Sequence, residues 1–135
     1  MKIPSYKIEK IDQMDPFLMS ITSSDNHWMF ISSNGALTAG REKADHALFP
    51  YVTDNLIHTS LNTTGPFTVI KIKSKKNKSA HAWKPLSYVP MNNSGQRNLY
   101  KDAIGDNIVF EEVNQSLGLT SVSYTHLTLP TNREV

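Results

Sequence analysis

Asn34-Gly35 stands between two apolar runs, His27-Trp28-Met29-Phe30-Ile31 and Ala36-Leu37-Thr38-Ala39-Gly40. No other feature constrains the fold as much. Both residues of the pair accept positive φ, so they close a tight hairpin and set two strands side by side. The rest of the chain repeats this grammar of short segments bounded by turn residues. Phe17-Leu18-Met19-Ser20-Ile21 reads as a strand preceding the hairpin. His27–Ile31 is apolar on both faces, as a central strand would be. Phe67-Thr68-Val69-Ile70-Lys71-Ile72-Lys73 follows Gly65-Pro66 and alternates apolar with basic from Ile70, which suits an edge or outer strand. Asn107-Ile108-Val109-Phe110-Glu111-Glu112-Val113 is the last clear strand, after the turn-forming Ala103-Ile104-Gly105-Asp106. Arg41–Leu48 alone suits a short helix, which Pro50 would stop. The expectation is an all-β, mainly antiparallel fold with at most one short helix.

Length and charge narrow the function classes. A chain of 135 residues, 39% hydrophobic, is one ordinary domain with a modest core. A formal charge of +2 is too weak to point to a nucleic-acid partner. The absence of cysteine excludes disulfides, thiolate metal sites and a cysteine nucleophile. MKIPSYKIEKIDQMDPF lacks the apolar run of a signal peptide, and no stretch approaches the roughly eighteen apolar residues of a membrane span. A cytoplasmic protein without a membrane partner is therefore expected.

The candidate chemistry is sparse. No two of His27, His46, His58, His81 and His126 fall at a spacing that aims both at one ion, so no metal site is expected. No serine sits in a Gly-x-Ser-x-Gly elbow. Glu111-Glu112 is the one adjacent carboxylate pair, and neighbours on a strand point to opposite faces. No catalytic residue and no cofactor are expected. The run Lys71, Lys73, Lys75, Lys76 and Lys78 could bind phosphate, but it has no interleaved aromatic before Trp83. It reads as the solvated tip of a strand pair. Trp28, Trp83 and Tyr88 could each stack on a sugar ring. Trp28 lies within an apolar run and reads as core, whereas Trp83, between His81 and Lys84, reads as a partly exposed platform.

Two longer strings add a resemblance. SSDNHWMFISSNGALTAGREKADHALFPYVTDNLIHTS (Ser23–Ser60) and RNLYKDAIGDNIVFEEVNQSLGLT (Arg97–Thr120) resemble the N-terminal region of large bacterial proteins related to cellobiose phosphorylase. Residues 74–96 match least well. The resemblance implies that residues 1–121 are an incomplete N-terminal β-sandwich of the mutarotase-like, supersandwich type. It also implies a parent that binds β-linked glucosides or oligosaccharides. That parent would cleave them with phosphate or water in a helical toroid domain that this chain does not contain, the fragment itself being non-catalytic. The most family-like segments hold Asn34 and Arg41. Turn geometry alone reads them as a tight hairpin and a salt-bridge or interface residue. The resemblance makes them, with Trp83, candidate contacts to sugar or to the missing catalytic domain. The rival readings are a stand-alone carbohydrate-binding sandwich and a small nucleic-acid binder using Lys71–Lys78.

The resemblance stops at Thr120. VSYTHLTLPT (Val122–Thr131) resembles, codon by codon, a translation of the transposon-end adapter DNA of sequencing libraries. A variable index and a constant GTG TAG would then supply the residues through Val135 and a stop. This implies that residues 122–135 are an adapter-derived tail behind the junction residue Ser121, and that the source DNA continues in frame past Thr120. The alternative is a natural final strand of Thr and Leu. A truncated domain would leave Asn107–Val113 as an unpaired edge open to aggregation.

Overall fold

The Asn-Gly hairpin organises one of three antiparallel sheets in the computed structural model, which describes residues 4–22, 26–51, 54–61, 63–65, 67–76, 80–87, 94–103, 105 and 107–126. Strands β3 (His27–Ser32) and β4 (Leu37–Arg41) pair from His27↔Arg41 to Ile31↔Leu37. The turn is one residue longer than the two-residue form. Ser32 N–H donates to the Ala36 carbonyl at 2.8 Å and Gly35 N–H to the Ser32 carbonyl at 2.9 Å. Of the Asn-Gly pair, Gly35 alone takes positive φ, at 102°. A three-residue loop places its left-handed residue last, where glycine is unstrained. β2 (Leu18–Thr22) pairs with the other side of β3, so β3 is central, as its two apolar faces suggest.

The second sheet runs β1-β7-β8-β9, all antiparallel, from β1 (Tyr6–Glu9), β7 (Gly95–Lys101), β8 (Asn107–Asn114) and β9 (Leu119–His126). β5 (Ile70–Lys73) and β6 (Ala80–Trp83) form a separate hairpin, with Lys71 and Lys73 exposed on it. The fold is all-β and antiparallel.

Two expectations are corrected. Asn107–Val113 is not an edge. A turn over Gln115–Gly118, with Gly118 at φ 64°, brings β9 back along β8 for eight paired positions, Asn114↔Leu119 to Asn107↔His126. Nor does Arg41–Leu48 form a helix beyond one 3₁₀ turn, Ala44–His46. Glu42, at φ 64°, reverses the chain there, and an isolated bridge between Gly40 and Ala47 holds the return against β4. The other helical segments among the described residues are also 3₁₀ turns, Ile11–Gln13 and Asp54–Thr59.

Period-two alternation decides which faces meet. Met19, Ile21, Met29, Ile31, Leu37 and Ala39 share one face of the first sheet, and Leu99, Ile108 and Phe110 one face of the second. All nine belong to a single buried cluster, completed by Ile11. The other face of the first sheet is covered by the segment after β4. Thr38 donates its hydroxyl to the Pro50 carbonyl, Trp28 meets Tyr51 edge to face, and Phe30 packs on Ala36, Ile57 and Leu61. Trp28 is therefore half-buried on the outer face, not in the main core. Its ring lies over Gly40, where a Cβ would come within 2.4 Å of it. Among the described residues, no helix is long and apolar enough to cross a membrane.

Candidate functional site

Trp83 closes β6, and its indole turns inward rather than out to solvent. It is 9% exposed, and its Nε1–H donates to Glu112 Oε2 at 2.8 Å. The expectation of an exposed platform fails because a buried carboxylate supplies the partner that a buried indole needs. Glu112 is 1% exposed and takes two further bonds on Oε1, from the Leu86 N–H at 3.2 Å and from the Arg97 guanidinium. Arg97 also donates to the Ser87 carbonyl at 2.8 Å and to Ser87 Oγ at 3.3 Å. Cross-strand pairing of Arg97 with Glu112 puts both on the inner face. Glu111 faces outward, where the Asn98 amide and the Tyr100 hydroxyl donate to it. The adjacent carboxylates thus diverge, as a strand requires. Beside them, partial desolvation draws the Lys7 ammonium down, but Tyr100, Glu9 and Glu111 outweigh it and hold its pKa above the ordinary lysine value.

The tethered Leu86-Ser87 segment forms one wall of a cleft of about 170 Å³. Leu86 is held at φ 57°, a left-handed conformation rare for a branched side chain, and packs against Gly35. The opposite wall is the 3₁₀ segment at Ile11 with Met14. Between them stand Ser33 and Asn34 of the hairpin turn, His58 of the third 3₁₀ segment, and Arg97. His58 Nδ1 lies 2.7 Å from Ser32 Oγ, and the Asn34 side-chain amide donates to the His58 carbonyl at 2.6 Å. Asn34 Oδ1 accepts from the Ala36 N–H at 3.0 Å, and Ser33 Oγ accepts from Phe17 N–H at 3.0 Å. Ser32 and His58 look like a nucleophile and its base, but Ser32 is fully buried and its hydroxyl also accepts from the Asn34 N–H. An enclosed hydroxyl cannot reach a substrate. The cleft sets short hydrogen-bonding side chains against apolar walls.

The three candidate contacts are not brought together. Asn34 lines the cleft. Trp83 stands behind it and fixes Glu112, which fixes Arg97. Arg41 ends β4, seven residues and roughly 20 Å of strand away. Its side chain is 67% exposed, and its guanidinium lies 4.0 Å from Glu42. It lines a larger, mostly apolar cleft of about 490 Å³ with His27, His46 and Phe49. Sequence spacing missed the contact between Ser32 and His58 because 26 residues and two elements separate them. Among the described residues, no three His, Asp or Glu side chains gather to hold a metal ion. Lys75 and Lys76 lie in a turn after β5, while Lys78 and Tyr88 lie outside the described residues. No protein-family model matches the chain, and no curated protein matches it significantly.

Proposed function

We propose that the chain is the non-catalytic, carbohydrate-binding β-domain of a larger cytoplasmic protein of the cellobiose-phosphorylase type, with the two sheets arranged as part of a mutarotase-like sandwich. In the parent, phosphorolysis or hydrolysis of a β-linked glucoside takes place in another domain, and the cleft beside His58 holds one sugar ring. The observation that carries this reading is the cleft's lining. Short hydrogen-bonding side chains (Ser33, Asn34, His58, Ser87) alternate with apolar walls (Ile11, Met14, Leu86), matching a ring that presents hydroxyls at its edge and C–H groups on its faces. Its volume of about 170 Å³ equals roughly five or six water volumes, the size of a single pyranose.

Affinity follows from size. A hexose of about twelve non-hydrogen atoms at ~0.3 kcal/mol each gives a millimolar Kd. Titration of the protein with glucose and with cellobiose, followed by NMR shifts of the histidine rings, should saturate in the millimolar range and move His58. His58→Gln and Ser87→Ala should each weaken binding severalfold while the circular dichroism stays unchanged. Equal or absent shifts in the wild-type protein and the His58→Gln variant would remove the cleft from consideration.

A further inference from the structure

β9 completes the second sheet with its side chains the wrong way round. Pairing sets Ser121 opposite Glu112, Ser123 opposite Phe110 and Thr125 opposite Ile108, so these three lie on the core side of the sheet, yet Ser121 and Thr125 are only half-buried and Ser123 is exposed, whereas their partners on β8 are buried. Of the strand's apolar residues, Leu119 shares that side at its start and is 40% exposed, while Val122, 50% exposed, and Tyr124, beside Val109, take the opposite face. Strands that close a core put their apolar residues inward, and a slip of one residue exchanges the two faces completely. The result is a cleft of about 110 Å³ beneath β9, between Ile31, Leu37, Leu86 and Phe110 on one side and Ser121, Ser123 and Thr125 on the other. It has room for roughly three or four water-sized groups. The Gln115–Gly118 turn fixes the register, and with it the face that each residue after Thr120 takes.

We infer that the position β9 occupies is a slot for a strand with aliphatic residues facing inward, and that the parent protein's own continuation past Thr120 is its occupant. The inference rests on reading the chain as part of a longer protein. The first, third and fifth residues after Thr120 in that protein fill the cleft, and the second and fourth take the opposite face of the sheet.

Two measurements test it. In the full chain, Ser123→Val and Thr125→Val, singly and together, should raise Tm, by about 3–10 °C for the pair. The outward control Val122→Thr should leave Tm within about 2 °C. An unchanged or lowered Tm in the inward variants, or an equal gain from polar-to-apolar changes on the outward face, overturns the slot. Uninterrupted source DNA downstream of the Thr120 codon should encode Val, Ile, Leu or Phe at the first, third and fifth codons. Polar codons there, in a frame that continues, overturn the inference while leaving the parent reading intact. A natural stop near Val135 overturns both. Neither result depends on the His58 cleft, so failure of sugar binding is scored separately.

Discussion

Glu112 shows how much of this molecule hangs on one buried side chain. Its carboxylate is held by Arg97, the Trp83 indole and the Leu86 N–H, and those bonds tie β7 and β8 to the β5–β6 hairpin and to the wall of the cleft. A buried ion pair is not in itself a strong source of stability, because desolvation offsets most of the attraction. Breaking one is costly, because the remaining charge is left in a medium that cannot solvate it. Arg97→Met should therefore destabilise the protein by about 3–5 kcal/mol in urea denaturation. Adding Glu112→Gln should recover part of that loss, since the charge is gone while an oxygen remains for Trp83. A double variant less stable than Arg97→Met alone would show that the carboxylate acts through packing and hydrogen bonds rather than through its charge.

At the scale of elements, Gly40 controls how the chain leaves β4. A Cβ there would stand 2.4 Å from Trp28 Cζ2, 2.7 Å from the His46 carbonyl oxygen and 2.9 Å from Ala47 Cα. Two of those neighbours are backbone, fixed by the bridge between Gly40 and Ala47. Gly40→Ala should cost about 1–3 kcal/mol by overpacking and should raise amide exchange at Ala47. Normal exchange with lowered stability would assign the whole effect to Trp28. β2, β3, β4, β5 and β8 were legible in the sequence because each combines apolar or β-branched residues with a turn signal. β1 and β7 were not, because charged or amide residues interrupt their apolar ones, and in β7 two of these, Arg97 and Asn98, are buried. Only tertiary partners make such residues strand-forming, Glu112 for Arg97 and Glu111 for Asn98. The candidate site was less legible still. Asn34 was visible through its turn, but the partnership of Ser32 with His58 leaves no trace in spacing.

For the whole molecule, the shared core sets the expectation for unfolding. Neither sheet closes a core alone, since the buried cluster draws Met19, Ile21, Met29, Ile31, Leu37 and Ala39 from one and Leu99, Ile108 and Phe110 from the other. Separating the sheets exposes both halves at once, so a chain of this size should unfold in one step. The two tryptophans report on different places. Trp28 lies on the outer face of the first sheet, and Trp83 sits at the end of the β5–β6 hairpin, tied to Glu112 of the second. In Trp28→Phe the fluorescence comes from Trp83 alone, and in Trp83→Phe from Trp28 alone. Each variant should give the same urea midpoint by fluorescence as by far-ultraviolet circular dichroism, although Trp83→Phe should be less stable overall by about 1–3 kcal/mol for the partner taken from Glu112. If Trp83 emission in Trp28→Phe shifts at lower urea than the circular dichroism, the hairpin detaches before the sheets part. The bond between Trp83 and Glu112 would then be too weak to join it to the core, and the cleft wall at Leu86 would loosen with it.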